Sequence, residues 1–311
     1  MGGSHRFTAR RRGMLAWLAY ATVSVVWGST FLAIAWAIDS FTPFGLSAVR
    51  FIPAALIALA IGRLRREPWP AWREVPRLAS VGVLLLTVCM ALIAWAEARV
   101  ASGVTAVMAG VIPLLLALMA RQSLAMRGWL GLALGFLGVA LLMWPSAGSP
   151  DFAGCAALAL STVIWSWATL LGGKKASSAG HFTQVGIEMA SAGALSLVIA
   201  NATGGTTHAP VSHAALLALG YLIVFGSIAA YSAYIYLTKT WPAARVGTYA
   251  FCNPVVAVAL GCGLRGEPFR PAMGAALALI LAGVALLQVP RVEASTPKRQ
   301  SPVRPFPQEE Y

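Results

Sequence analysis

Residues 14 to 38 read MLAWLAYATVSVVWGSTFLAIAWAI, 25 consecutive positions without Asp, Glu, Lys or Arg. Coiled into a helix rising about 1.5 Å per residue, this run is long enough to cross the roughly 30 Å hydrocarbon core of a bilayer. Uncharged runs of 19 to 23 residues recur at 78 to 96, 100 to 120, 128 to 150, 152 to 173, 246 to 264 and 271 to 290. Two further runs are interrupted once each, 43 to 62 by Arg50 and 182 to 200 by Glu188, and the charge-free stretch 189 to 238 leaves room for another helix at 214 to 237. The pattern predicts an all-α integral membrane protein with ten transmembrane helices.

Composition agrees. The 311 residues are 59% hydrophobic and only 11% charged, too little charge to cover a water-facing surface when soluble domains carry about 25%. The 23 Lys and Arg outnumber the 10 Asp and Glu, a net charge of +13. A nucleic-acid partner would need that charge gathered on one face, whereas here it comes in short clusters between apolar runs. Nineteen basic residues fall in one set of alternate loops and termini, three (Arg99, Arg265 and Arg270) fall in the other, and Arg50 lies inside a span. By the positive-inside rule both termini are then cytoplasmic. The first run has no small-residue cleavage site before the next span, so it reads as a retained signal anchor.

Helix-breaking clusters separate the spans, and no stretch is long enough for a soluble domain. The expected organisation is a cytoplasmic arm at residues 1–13, five helices over 14–145, five over 152–290, and a Pro-rich tail at 291–311, with arm and tail both disordered. The halves are related. Shifting residues 85 to 113 by 141 positions puts Pro113 on Pro254, and a four-residue insertion then superimposes the GVALL run starting at Gly138 on that starting at Gly283. At the front of each half a shift of 138 places Trp27 on Trp165 and Arg50 on Glu188. Five is odd, so the halves insert in opposite orientations. Inverted repeats of this kind belong to secondary transporters that bind substrate near the midplane and rock one bundle against the other.

Several motifs resemble the EamA branch of the drug/metabolite transporter superfamily. Trp27-Gly28-Ser29-Thr30-Phe31 is similar to its WGSxF signature, and Pro43 followed by Arg50-Phe51 and Ala54-Ala55 is similar to its second-helix pattern. Asn253-Pro254-Val255-Val256, Gly266-Glu267-Pro268, Gly274 and Gly283-Val284 resemble its closing block. The first half departs from the family in having Arg121 and Gln122 where a GE-type turn is expected. The resemblance covers residues 14 to 290. It implies an inner-membrane carrier for amino acids or other small metabolites, often acting in export.

Charges inside a span are costly, so Arg50 and Glu188 are the first candidates for a site. Each lies seven residues into its helix, about 10 Å from opposite faces. Arg50 suits a substrate carboxylate, and Glu188 an amino group or a proton; snorkelling or helix capping would explain either equally. Ser227, Tyr231, Tyr234 and Thr238 repeat at i, i+4, i+7 and i+11, a hydroxyl-bearing face that turns inward in lipid, either to line a cavity or to bond the next helix. Trp27, Trp95 and Trp165 lie deeper than an interfacial belt, whereas Trp17, Trp69, Trp72, Trp129, Trp144 and Trp241 lie at span ends. Thr30 and Asn253 complete the expected substrate-binding set. Pro113 and Pro254, inside spans four and nine, leave the carbonyls of Ala109 and Ala250 without a helical partner and are candidate hinges.

Catalytic and metal chemistry finds no pattern. The histidines sit in loops or at span ends, no HExxH is present, and Cys89, Cys155, Cys252 and Cys262 are spaced singly. No cofactor or metal is expected. The partners are a small-molecule substrate and membrane lipid, with a proton or an exchanged solute left open for coupling. The leading expectation is an amino-acid exporter and the second a multidrug or organic-cation efflux transporter. A channel or a non-transporting membrane protein would explain neither the repeat nor the internal polar face.

Overall fold

The structure, a computed structural model, describes residues 3–97, 99–100, 105, 108–143, 151–173, 177–265 and 271–288. Among them there is helix and no strand, with one isolated bridge between Phe41 and Thr207. We number the helices α1 (Gly3–Ala37), α2 (Pro43–Leu64), α3 (Val75–Gly82, a π-helical stretch Val83–Val88, then Cys89–Glu97), α4 (Ile112–Met119), α5 (Met126–Met143), α6 (Phe152–Gly173) and α7 (His181–Ala202). They continue as α8 (His213–Tyr221, a π-helical stretch Leu222–Ala229, then Ala230–Thr240), α9 (Ala243–Gly247 and Tyr249–Arg265) and α10 (Pro271–Gln288).

Seven of the described helices are long and apolar enough to cross a membrane, including Trp72–Ala96 and His213–Thr240, and Met126–Leu141 is a shorter apolar helix. Large hydrophobic side chains stand outward along them, among them Leu56, Leu64, Val198, Leu217 and Leu281, each more than half exposed. In water this surface would be untenable, whereas in lipid it is the ordinary exterior of a helical bundle whose backbone groups are satisfied internally.

The breakers act locally as their chemistry dictates. Pro43 enters α2 at its first turn behind Thr42, whose Oγ1 accepts from the Gly45 N–H at 3.0 Å. Ser212 caps α8 by accepting from Ala215, and Asp151 caps α6 by accepting from Gly154. Two expectations change here. The amino-terminal arm is helical from Gly3 in continuity with α1, because Ala and Arg are good helix formers and nothing between them breaks the run. Pro113 does not bend a continuous span. A turn at residues 110–111 precedes it and a new helix starts at Ile112, so the ring occupies an opening turn where its missing N–H costs least. Pro254 does lie inside its helix. The Gly266-Glu267-Pro268 turn, Trp144 and the 291–311 tail lie outside the described residues.

Helix packing follows a regular scheme. α2 lies along α7 and α5 along α10; α1 packs on α8 and α9, while α6 packs on α3 and α4. Adding or subtracting five from each helix number leaves the scheme unchanged. The loops obey it too. The α1–α2 loop joins the α7–α8 loop through Thr42 N–H to Thr206 O, and the α2–α3 loop joins the α6–α7 loop through Gly180 N–H to Pro68 O. In the α5–α10 pair a Cβ on Gly283 would stand 2.5 Å from Gly135 N and 2.6 Å from Gly131 O, so only glycine permits this approach.

Candidate functional site

The core of the bundle gathers α1, α2, α6, α7, α8 and α9 around the hydroxyl face of α8. Ser227, Tyr231 and Tyr234 are buried there, as the i, i+4, i+7 spacing predicts. Each hydroxyl has a protein partner. Arg50 Nε donates to Ser227 Oγ at 2.7 Å, Tyr231 OH donates to Glu188 Oε2 at 2.7 Å, and Tyr234 OH shares a 2.5 Å hydrogen bond with Thr169 Oγ1. The π-helical turn of α8 brings Ser227 against α2 and exposes the neighbouring Gly226 carbonyl sideways, where Trp27 Nε1–H donates to it at 3.1 Å. Thr30, one turn along α1, spends its hydroxyl on the Trp27 carbonyl.

Glu188 is fully buried and both its oxygens are engaged, Oε2 by Tyr231 and Oε1 by Gln184 Nε2–H at 2.8 Å. Gln184 in turn accepts from Lys239 Nζ at 2.7 Å, so the carboxylate is tied through one amide to a cation at the exposed end of α8. Gly82 makes room for this helix: a Cβ there would lie 2.0 Å from the Glu188 carbonyl oxygen. Arg50 is held differently. Among the described residues its hydrogen bonding is confined to Nε, and its guanidinium lies 4.9 Å from the Phe51 ring centroid. Two terminal nitrogens of a rigid, permanently charged fork are therefore left for a ligand.

Beside Arg50 stands a cluster of four rings from four helices. Trp27 meets Trp165 at 5.9 Å, Tyr234 at 5.2 Å and Tyr249 at 5.1 Å between centroids, and Tyr234 contacts Tyr249 at 5.7 Å. Such a box can face an ammonium group or an apolar side chain. Asn253 follows on α9, its Oδ1 buried and unpartnered.

The structure thus brings together Trp27, Thr30, Arg50, Trp165, Glu188, Ser227, Tyr231 and Tyr234. It does not bring Trp95, which is 45% exposed at the end of α3 with Arg99 stacked on its ring at 3.7 Å. In a helix apolar all round, hydropathy cannot say which side faces lipid, and Arg99 four residues later draws the indole outward. Sequence reasoning missed Tyr249, Gln184 and Lys239. The last two are spaced one and two turns from known site positions and could have been found by asking what pairs with Glu188.

Described residues that are helical throughout, with seven membrane-length apolar helices around a charged, aromatic centre, define a multi-pass membrane protein. The chain belongs to the EamA-like transporter family, whose profile matches residues 14–144 and 152–289. It is similar to the uncharacterized inner membrane transporter YedA of Escherichia coli strain K12, 32% identical over 267 residues covering 85% of this chain and 87% of the relative. An uncharacterized transporter of Archaeoglobus fulgidus is 24% identical over 87% of the chain and 98% of its own length. A chloroplastic WAT1-related protein of Arabidopsis thaliana is 24% identical over 89% of the chain and 70% of its own length. One solved crystal structure shares the fold with a TM-score of 0.74 at 22% identity, over 88% of this chain and 96% of that one.

Proposed function

We propose that this transporter is a secondary carrier of the inner membrane that exports amino acids or closely related small metabolites by alternating access. The observation that carries the reading is Arg50, a cation inside the bundle with its forked edge free of protein acceptors among the described residues and an aromatic box beside it. A carboxylate can bind that fork in bidentate fashion while an ammonium or an apolar side chain lies against the rings. Glu188 is bonded by Tyr231 and Gln184, which makes it an internal anchor of α7 to α8 and a coupling position more than a ligand for a substrate amine.

Alternating access draws support from the packing scheme that survives a shift of five helices and from the paired π-helical stretches. Val83–Val88 shifted by 141 falls at 224–229, inside Leu222–Ala229. These features fit two inverted five-helix repeats, 14–145 and 152–290, in a ten-span bundle with both termini cytoplasmic. Substrate would contact Trp27, Arg50, Trp165, Tyr231, Tyr234 and Asn253, with Thr30 and Ser227 shaping the surroundings of Arg50 and Pro254, the proline inside its helix, as a hinge. A proton or an exchanged solute would supply the coupling.

The four-ring box also favours a second reading, efflux of organic cations, since rings alone can hold a quaternary ammonium. Counterflow of labelled amino acids and of cationic dyes in proteoliposomes decides between them. Saturable amino-acid flux abolished by Arg50→Ala supports the carboxylate role. Flux of dyes alone, indifferent to Arg50, supports the second reading, and no saturable flux of any solute removes both.

A further inference from the structure

Between α1, the start of α7 and the second half of α8 lies a lateral groove of about 350 Å³ that the site above does not use. Leu15, Leu18 and Thr22 of α1 face Ser232 and Tyr236 of α8 across it, and His181 completes the lining from α7. Leu15 and Leu18 are about half exposed, so the groove opens sideways to lipid. At roughly 30 Å³ for each water-sized group it holds about a dozen heavy atoms, the order of one alkyl-chain segment. Ser232 is only 8% exposed, and its Oγ is buried without a hydrogen-bond partner. Such groups are nearly always satisfied, and in a membrane no bulk water reaches them. Thr22 has no such need, because its hydroxyl donates to the Leu18 carbonyl at 2.9 Å. An alkyl chain alone would cover the leucines and leave Ser232 unsatisfied. The groove therefore fits a ligand that carries both a chain and a hydrogen-bond acceptor.

The helix faces that form the groove carry cations at the end nearer the termini. Arg11 stands one turn before Leu15 on α1, and Lys239 stands seven residues beyond Ser232 on α8, both exposed. Lys239 Nζ spends one of its three N–H groups on Gln184 Oε1 at 2.7 Å, which leaves two. Glu67, the acid at the start of α7, is occupied by the Thr183 N–H at 2.9 Å and the Thr183 hydroxyl at 3.2 Å. Seven residues of helix put Ser232 about 10 Å below Lys239. The headgroup layer is about 5–8 Å thick on each side of a bilayer, so the hydroxyl falls near the hydrocarbon boundary, where phospholipid ester carbonyls lie. We propose that the groove binds one anionic phospholipid from the leaflet on the side of the termini. Its phosphate lies between Arg11 and Lys239, an ester carbonyl accepts from Ser232, and an acyl chain runs along Leu15 and Leu18. A zwitterionic lipid fits less well, since its ammonium would meet two cations and no unoccupied acid among the described residues. The proposal stands apart from the reading of Arg50 and of the transported solute.

The test is thermal stabilisation and native mass spectrometry of the purified full-length protein in a non-ionic detergent. Three probes are compared, dioleoyl phosphatidylglycerol, dioleoyl phosphatidylcholine and glycerol 3-phosphate. Phosphatidylglycerol should act at about tenfold lower concentration than phosphatidylcholine and be retained as a single adduct, while glycerol 3-phosphate, which has no chains, should not stabilise. Arg11→Gln and Lys239→Gln should each weaken phosphatidylglycerol about fivefold and leave phosphatidylcholine unchanged. Ser232→Ala should weaken both lipids about threefold to tenfold through the lost hydrogen bond. Basic residues across one face attract anionic lipid diffusely, so Arg73→Gln, an exposed position away from the groove, is the control and should change nothing. Where Lys239→Gln alters the unliganded melting temperature, Arg11→Gln and Ser232→Ala decide. Equal action of the two lipids overturns the site, as does stabilisation by glycerol 3-phosphate alone. So does an Arg73→Gln effect as large as that of Arg11→Gln, or lipid binding indifferent to Ser232→Ala.

Discussion

Arg50 and Glu188 do not touch. They are fastened to the same helix one turn apart, Arg50 through Ser227 and Glu188 through Tyr231. The α2 and α7 side chains are thus registered by a single turn of α8, which begins inside the π-helical stretch at Ser227 and ends just beyond it at Tyr231.

The two charges differ in what they have left to offer, and their substitution should separate accordingly. Arg50→Ala is expected to raise the KM for carboxylate-bearing solutes by about 10- to 100-fold, the range for losing hydrogen bonds to a charged group. Arg50→Lys keeps the charge but loses the planar fork and should recover only part of that. Initial rates in proteoliposomes measure both, and a KM indifferent to Arg50→Ala removes the anchor.

Tyr231 and Tyr234 lie three residues apart on α8 and are buried alike, yet one bonds a carboxylate and the other a threonine hydroxyl. Replacing each with Phe should therefore cost unequal stability, about 1.5–3 kcal/mol for Tyr231 against about 0.5–1.5 kcal/mol for Tyr234. Thermal melting in detergent reads the order. A Tyr234→Phe variant less stable than Tyr231→Phe would mean that Glu188 is not anchored as described.

The α5–α10 contact sets a third expectation. Gly283→Ala would drive a methyl into backbone atoms that cannot step aside and should cost about 1–3 kcal/mol, whereas Gly263→Ala, with nothing within 4 Å, should cost nothing. Melting temperatures of the two variants compare them within one protein.

How much of this could be read in the sequence depends on what lipid does to pattern. Helix positions and the outlying Arg50 and Glu188 were legible because bilayers penalise charge, and the inward face of α8 because its hydroxyls stood out at helical spacing. Trp95 was misjudged because a helix that is apolar on every side has no amphipathic stripe to orient it. The π-helical stretches add a residue to a turn without altering hydropathy, so nothing in Val83–Val88 or Leu222–Ala229 announces them. Ser232 resembles any serine in an apolar run until the groove beside it is seen.

Topology is tested directly. If the nineteen of 23 basic residues that fall in one set of alternate loops and termini face the cytoplasm, a carboxy-terminal green fluorescent protein fusion should fluoresce and an alkaline phosphatase fusion should stay inactive. The opposite pair of results reverses the orientation.

The last expectation concerns how one end of the bundle is kept shut. Tyr20 on α1 shares a 2.8 Å hydrogen bond with Thr248, and Gln288 on α10 donates to the same hydroxyl at 3.0 Å. Arg245 donates to Gln288 and stacks 3.8 Å from the Trp241 ring centroid, while Trp241 packs on Trp17. These residues tie α1, α9, α10 and the end of α8 into one latch, and Cys252 lies directly behind it, its Sγ 3.3 Å from Tyr20 OH. Opening this end must part those contacts, which makes Cys252 a reporter of the motion. In a variant whose other three cysteines are replaced by alanine, a membrane-impermeant maleimide applied to the face carrying the termini should modify Cys252 slowly. Tyr20→Phe and Arg245→Ala, which each remove one tie, should speed the reaction severalfold, and substrate should change the rate in the wild type. If neither variant alters the rate while denatured protein reacts fully, the latch does not govern access from that side, and opening must be sought at the α3–α4–α6 face instead.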